Sequence, residues 1–158
     1  MLNQADLTST IKTIPWFLEL APDSLQRLTK IAEIRSFEKG DVIFSEGEQH
    51  PYFYIILEGQ VTLESYVPGQ GSLPILTAES LDVIGWSSLT PVVRQKTSTA
   101  RVLAHTTLLA FPADQLMATC EEDCDLGFII MRRLANIVAS RMLNHRLHLL
   151  GILSCQSD

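Results

Sequence analysis

The pattern of apolar positions divides the chain into three stretches, and the first of them is helical. Pro15 and Pro22 interrupt this stretch, because proline cannot donate the backbone hydrogen bond that a helix interior requires. Pro22 also stands where a second helix would begin, and proline is tolerated at that position. We therefore predict two short helices built on the apolar residues Ile14, Phe17, Leu18, Leu25, Leu28 and Ile31.

The second stretch, residues 35–111, has an apolar period close to two. Val61 and Leu63 alternate with polar residues, and Val42 and Phe44 follow the same spacing. Residues 102–111 predict two closing strands, after which Pro112 opens a short helix. Short strands separated by Gly and Pro turns, about eight of them, predict an α+β, mainly β fold of sandwich or roll type.

The third stretch returns to helical spacing from Asp123 to about Leu150. A helix of that length extends about 40 Å, which is longer than a small roll can cover. Its apolar residues also occupy more than one stripe. We expect part of it to pack on the roll and the rest to meet a second copy of the chain, which predicts a homodimer. The alternative is a helix that folds back on its own domain.

These stretches predict four regions. They are an N-terminal helical segment (1–35), a roll (36–118), a C-terminal helix (119–152) and a tail (153–158).

Composition and charge exclude several classes of protein. The chain has 158 residues, 46% of them hydrophobic and 19% charged, which fits one globular domain with a helical extension. A net charge of -6 argues against a surface built to hold phosphate backbones, so direct binding of nucleic acid is not expected. Neither a leader nor a membrane span is indicated, and the cytoplasm is the expected location. Cys120, Cys124 and Cys155 fit neither a disulfide framework nor a zinc site.

Catalytic and metal-binding motifs are not indicated. The sequence has no phosphate-cradling Gly-x-x-x-x-Gly-Lys and no Gly-x-Ser-x-Gly, and we predict that the protein is not an enzyme. His145 and His148 are three residues apart on the last helix, a spacing that can share a metal ion. With no third ligand nearby, we expect neither a metal site nor catalytic residues.

Four glycines mark turns between the predicted strands: Gly40, Gly47, Gly59 and Gly85. Glycine is needed where a chain takes positive φ or passes close to another strand. With these glycines, the order of short helices, strands and a long helix resembles the cyclic-nucleotide-binding domain of the catabolite-activator family. The resemblance covers roughly residues 17–142. It implies a double-stranded β-helix, or jelly roll, with short N-terminal helices and a long C-terminal dimerisation helix.

Cyclic nucleotides are held in that family by a phosphate-binding cassette, and this sequence departs from its pattern. Family members that bind them typically have Gly-Glu-(aliphatic)-Ala/Gly-Leu, followed about a dozen residues later by Arg-Ser/Thr-Ala. Here residues 85–89 read Gly-Trp-Ser-Ser-Leu and residues 98–100 read Ser-Thr-Ala. Trp86 thus replaces the acidic residue that accepts from the ribose, and Ser98 replaces the arginine that pairs with the phosphate. The resemblance therefore implies altered or lost affinity for cyclic nucleotides.

The resemblance also implies where a ligand would bind. Serine and threonine hydroxyls and the backbone N–H groups near Gly85 can still receive an anion. Arg94 or Lys96 could supply the missing positive charge, although Arg94 could equally be a solvated loop charge. Trp86 could stack on a flat ligand, plug the pocket or anchor the cassette in the core. The candidate ligand-binding residues are Ile84, Gly85, Trp86, Ser87, Ser88, Arg94, Ser98 and Thr99. The candidate ligand is cAMP, cGMP or another small anion.

The sequence thus favours a non-enzymatic, homodimeric ligand-sensing module that signals to a partner protein. One alternative is a ligand-free interaction or dimerisation scaffold. Another is the sensor part of a transcription regulator, although no DNA-reading helix-turn-helix follows the long helix in this sequence.

Overall fold

The computed structural model describes residues 4–155. Two helices come first, α1 (Gln4–Thr13) and α2 (Pro22–Ile31), with a 3-10 turn at Pro15–Phe17 between them. Pro22 occupies the first turn of α2, as predicted. Two more helices, α3 (Ala113–Glu122) and α4 (Cys124–Cys155), end the described chain.

The strands between these helices form one antiparallel sheet that closes into a roll. They are β1 (Glu33–Phe37), β2 (Val42–Phe44), β3 (Tyr52–Val67), β4 (Gly71–Ala78), β5 (Val83–Ile84) and β6 (Thr99–Pro112). The main path runs β1-β6-β3-β4, with β2 paired to β6 and β5 paired to β3. This confirms the mainly β jelly roll with a long C-terminal helix.

The described residues contain six strands where the sequence predicted about eight. Residues 102–111 belong to one strand, β6, so the prediction of two closing strands there is wrong. The reason is that β3 and β6 are long strands that stay paired through bends. Their register shifts at several points between Ile56 and Val61, so the ladder bends without ending either strand.

Gly59 lies at this bend. Its φ is +104°, and a Cβ added there would come within 2.6 Å of Thr106 Cα. Only glycine fits so close to the neighbouring strand in that conformation. The position therefore requires glycine for both reasons expected from the sequence.

The core has two parts, one on each face of β3. Phe53 and Ile55 pack towards the helices, whereas Tyr54 and Ile56 pack inside the roll. All four are fully buried, because consecutive side chains of a strand point to opposite faces and both faces of β3 are covered.

Helix α4 contacts the domain in its first half and is exposed in its second half. Leu126, Ile130 and Leu134 are buried against the domain. From Met142 to Cys155 every residue is exposed. The exposed large apolar residues of this second half are Met142, Leu143, Leu147, Leu149, Leu150, Ile152 and Leu153.

Helix α4 begins at Cys124, one residue after the start at Asp123 that the helical spacing predicted, whereas the region boundary at residue 119 falls inside α3. The two helices are separated by a break at Asp123. Asp123 produces this break by accepting hydrogen bonds from Ser24 Oγ (2.6 Å) and from Leu126 N (3.1 Å). Residues 153–155, predicted as tail, belong to α4, and residues 156–158 lie outside the described part.

Candidate functional site

The cassette segment, residues 84–99, begins with a tight turn at Gly85. Its φ is +77°, and the 3-10 helix Trp86–Leu89 follows directly. Ser88 Oγ donates to the carbonyls of Gly85 (2.7 Å) and Tyr52 (3.2 Å). This hydroxyl therefore holds the turn against the start of β3, and its hydrogen is already used within the protein.

Lys96 is a buried cation inside the cassette segment. Its side chain is only 2% exposed, and Nζ donates to the carbonyls of Gly85 (3.1 Å) and Tyr52 (3.5 Å). The ammonium also lies 5.1 Å from the centre of the Phe44 ring, where a cation–π attraction is expected. Burial lowers the pKa of Lys96 to about 8, although the charge of Glu48 acts in the opposite direction. Lys96 was a candidate to supply positive charge to a ligand, but its ammonium group instead binds backbone carbonyls of the protein.

Beside Lys96 lies a cavity that we call the cassette cavity. Its volume is about 10 Å³, the space of roughly one water molecule. It is lined by Phe44, Leu63, Ile84, Gly85, Trp86, Ser87, Lys96, Thr97 and Ser98. A phosphate group cannot enter a space of that size unless the surrounding side chains move.

A larger cavity, which we call the helix cavity, lies between the roll and α4. Its volume is about 360 Å³, within the usual range of small-molecule sites. The roll and the cassette segment contribute Leu63, Ser65, Ile75, Leu76, Trp86, Thr97 and Ser98, and α4 contributes Val138, Arg141, Met142 and His145. A ligand in this cavity would contact the cassette segment and the long helix together.

Arg141 is the arginine of the helix cavity. Its Nη2 donates to the Val83 carbonyl at 3.1 Å, which attaches α4 to β5. Its Nη1 is buried and has no hydrogen-bond partner among the described residues. Burial lowers the pKa of Arg141, and the charge of Asp82 acts in the opposite direction. The guanidinium is thus fixed at one nitrogen and unsatisfied at the other.

The predicted ligand-binding residues are distributed over three places. Trp86 and Ser98 line both cavities, whereas Ile84, Gly85 and Ser87 line the cassette cavity. Ser88 and Arg94 line a separate, more open groove with His50 and Glu121. Thr99 begins β6, and its Oγ1 accepts a hydrogen bond from Glu46 N at 2.9 Å. In the described structure Arg94 therefore lines neither cavity.

Residues of α4 were missing from the predicted site. The sequence has four arginines on this helix, Arg132, Arg133, Arg141 and Arg146, and charged residues on a helix usually form a solvated face. Three of them contact the domain instead: Arg132 pairs with Glu19, Arg133 donates to the Pro15 carbonyl, and Arg141 donates to the Val83 carbonyl. The absence of acidic residues in α4 after Asp125 was the available signal, because it left these arginines to find partners elsewhere in the fold.

Metal binding and membrane insertion receive no support from the described residues. Within residues 4–155, no three His, Cys, Asp or Glu side chains come close enough together to hold a metal ion. None of the helices in that range is both long enough and apolar enough to span a bilayer.

Comparison with known proteins identifies the family. The sequence model of the cyclic nucleotide-binding domain family matches residues 34–123, which is more than half of the chain. The chain therefore belongs to the cyclic nucleotide-binding domain family. A cGMP-dependent protein kinase of Drosophila melanogaster (isozyme 2, forms cD5/T2) is 31% identical over 61 residues. Those residues make up 39% of this chain but only 6% of the kinase, so the chain spans a small fraction of this curated relative.

Solved structures show the same fold. A cyclic nucleotide-binding domain from Methylobacillus flagellatus KT superposes with a TM-score of 0.77 at 17% identity, covering 94% of this chain and 83% of that one. The catabolite activator protein of Thermus thermophilus gives a TM-score of 0.70 at 22% identity, covering 87% of this chain and 63% of that one. At these identities the likeness establishes the architecture, and the ligand must be argued from this chain's own residues.

Proposed function

We propose that this protein is a non-enzymatic ligand-sensing module whose affinity for cyclic nucleotides is reduced or lost, and whose ligand binds in the helix cavity. The observation that carries the proposal is the contrast between the two cavities. The cassette cavity has about 10 Å³ of space, whereas the helix cavity has about 360 Å³ and is lined by both Trp86 and α4.

The cassette segment is poorly suited to a cyclic phosphate. A charge-assisted hydrogen bond contributes about 1.5–3 kcal/mol, and Ser98 cannot replace the bidentate arginine of the family pattern. The indole of Trp86 can donate one hydrogen bond but cannot accept from a ribose hydroxyl. Lys96 offers a charge, but its ammonium already serves the Gly85 and Tyr52 carbonyls. Tight binding in the usual manner would require all three features to rearrange.

Signalling would use the long helix. A ligand in the helix cavity contacts Trp86 and Ser98 on one side and Val138 and Met142 on the other. Occupancy can shift the position of α4 only if the ligand binds two arrangements with different affinity. The exposed second half of α4 would then transmit the change to a second copy of the chain or to a partner protein.

A homodimer through α4 forms part of the proposal. Leu143, Leu147 and Leu150 recur at spacings of four and three residues, which is the pattern of a helix-to-helix seam. The Leu147 side chain is 57% exposed in the single chain. Burying these residues against their copies would remove a large apolar surface from water.

Calorimetric titration with cAMP and with cGMP tests the ligand part of the proposal. The wild-type protein is compared with the double variant Trp86→Glu/Ser98→Arg, which restores both family residues, and with Ser98→Arg alone. We expect weak or no binding by the wild type and at least about tenfold tighter binding by the double variant. Thermal unfolding establishes that each variant is folded. Micromolar binding by the wild type would overturn the proposed loss of affinity.

A second candidate function is a ligand-free dimerisation scaffold, which the exposed apolar residues of α4 favour. Sedimentation of Leu147→Asp tests the interface, with the exposed Leu18→Asp in the N-terminal region as matched control. We expect Leu147→Asp to weaken self-association by about a hundredfold and Leu18→Asp to leave it unchanged. If the wild type is a monomer at all concentrations, both the dimer and the scaffold function fall. A dimer that binds no small molecule would favour the scaffold.

A further inference from the structure

The helix cavity carries a more specific inference about the class of ligand, which rests on the proposed function that this cavity holds one. We propose that the ligand is a small organic anion with an apolar body, and that Arg141 of α4 pairs with its anionic group. In this arrangement the charge comes from the long helix, and the cassette segment supplies the apolar and hydroxyl contacts.

The position of the guanidinium is the first argument. Nη2 is tied to the Val83 carbonyl, which fixes the planar group at the wall of the cavity. Nη1 is buried and has no acceptor among the described residues. A guanidinium presents its donors in a fixed fork that suits carboxylate, sulfonate and phosphate groups. The guanidinium therefore lines the cavity with one donor that the protein does not use, and an anionic oxygen reaches this buried donor once the side chains around it shift.

The charge of the cavity is the second argument. Neither Asp nor Glu belongs to its lining, and in residues 4–155 Arg141 forms no salt bridge within 4.0 Å. Asp82 acts on Arg141 only at longer range. His145 lies one helical turn further along α4 and lines the same cavity. An anion entering the cavity thus meets a guanidinium that forms no ion pair within the described residues, although Asp82 offsets part of its charge.

The rest of the lining indicates the body of the ligand. Leu63, Ile75, Leu76, Val138 and Met142 are apolar, and the indole of Trp86 offers a flat face. Ser65, Thr97 and Ser98 add hydroxyl groups that can donate or accept. An aromatic or branched aliphatic acid matches this lining. A cyclic nucleotide matches it less well, because its ribose and phosphate would need the polar contacts that the cassette segment lacks.

Two fluorescent probes of similar shape and different charge test this assignment. Anilinonaphthalene sulfonate carries an anionic group on an aromatic body, whereas N-phenylnaphthylamine has nearly the same body without the charge. Both are titrated into the wild type, into Arg141→Gln and into Arg146→Gln. Arg146→Gln is the matched control, because it removes the same charge from an exposed position five residues further along α4.

We expect Arg141→Gln to weaken the binding of the sulfonate by about tenfold or more and to leave the neutral probe within about twofold. Arg146→Gln should change neither. Arg141→Lys keeps the charge but lacks the forked guanidinium. Its affinity for the sulfonate should lie between those of the wild type and Arg141→Gln. Circular dichroism and thermal unfolding establish that these variants are folded. Ser98→Leu, which fills part of the cavity, should weaken both probes.

The possible failures separate the two proposals. If Arg141→Gln leaves the sulfonate unaffected, or weakens both probes equally, the anion assignment is wrong but the cavity can still hold a ligand. If neither probe binds, or if Ser98→Leu affects neither, ligand binding in the helix cavity itself is contradicted. In that case the anion assignment falls with the proposed function.

Discussion

The cassette cavity and the helix cavity share Leu63, Trp86, Thr97 and Ser98, yet they differ in volume and in the cation that lines them. In the cassette cavity the cation Lys96 is satisfied by backbone carbonyls, and about 10 Å³ of space remains. The helix cavity has about 360 Å³ of space and is lined by the cation Arg141, one nitrogen of which is buried without a hydrogen-bond partner among the described residues.

Under the proposed function, this difference means that a family site has moved within an unchanged fold. A buried cation must have partners, because an unpaired buried charge is costly. At Lys96 the protein supplies those partners itself. At Arg141 it supplies one of them, the Val83 carbonyl, and we propose that a ligand supplies another. The predictions that follow test whether the cassette cavity is closed and the helix cavity is open, beginning with the largest expected effect.

Gly85→Ala should show how tightly the cassette turn is packed. The position has a φ of +77°, and an added Cβ would lie 2.9 Å from the Tyr52 carbonyl oxygen and 3.3 Å from Lys96 Nζ. Strain and contact together should lower the free energy of unfolding by about 3 kcal/mol. Gly69→Ala is the matched control, because its φ is +81° and its surroundings are open. Gly69→Ala should lower the free energy of unfolding by about 1 kcal/mol. Equal losses of unfolding free energy in the two variants, measured by urea unfolding, would show that the Gly85 turn is not tightly packed.

Lys96→Met should change how stability depends on pH. The pKa of Lys96 is lowered from 10.5 to about 8 in the folded protein, mainly by burial. Between those values the unfolded chain keeps the proton and the folded protein has lost it. The free energy of unfolding contributed by Lys96 should therefore rise with pH, by about 2 kcal/mol between about pH 8 and 10.

Other groups act in the opposite direction at overlapping or higher pH. Burial raises the pKa of Cys120 to about 11 and that of Tyr54 to about 12, and both shifts lower stability as the pH rises. The difference between wild type and Lys96→Met isolates the lysine, because these groups are common to both proteins. A difference that stays constant with pH would mean that Lys96 is solvated and that the cassette cavity is open.

The same substitution at two serines compares the cavities directly. Ser87 is buried against the cassette cavity, so Ser87→Leu should overpack it and lower the free energy of unfolding by about 1–2 kcal/mol. Ser98 also faces the larger helix cavity, and Ser98→Leu should stay within about 0.5 kcal/mol of the wild type. Urea unfolding of the two variants gives the comparison. A larger loss of unfolding free energy in Ser98→Leu than in Ser87→Leu would contradict a closed cassette cavity and an open helix cavity.

Much of the fold could be predicted from the sequence because its signals are local. Pro22 predicted the start of α2, and Gly59 and Gly85 predicted positions of positive φ, which lie at a bend within β3 and at the cassette turn. The number of strands was harder to predict. Whether a strand continues through a bend depends on its partner, and the pairing of β3 with β6 involves residues far apart in the chain.

The site was predicted only in part, for a related reason. Trp86 and Ser98 were found because they depart from a known pattern within one short segment. Arg141 was missed because its partner, the Val83 carbonyl, lies 58 residues away in sequence. Lys96 was considered as a ligand contact, but its contact with the Gly85 carbonyl depends on how the turn folds back. Periodicity places a residue on a helix face but does not determine which strand that face will meet.

The central claim is that occupancy of the helix cavity affects the cassette segment and α4 together. Hydrogen exchange of the backbone amides, followed by mass spectrometry with and without saturating anilinonaphthalene sulfonate, tests it most directly. We predict slower exchange in residues 85–98 and in residues 138–145, because both segments line the cavity. Protection confined to residues 146–155, or no protection at all, would contradict the claim.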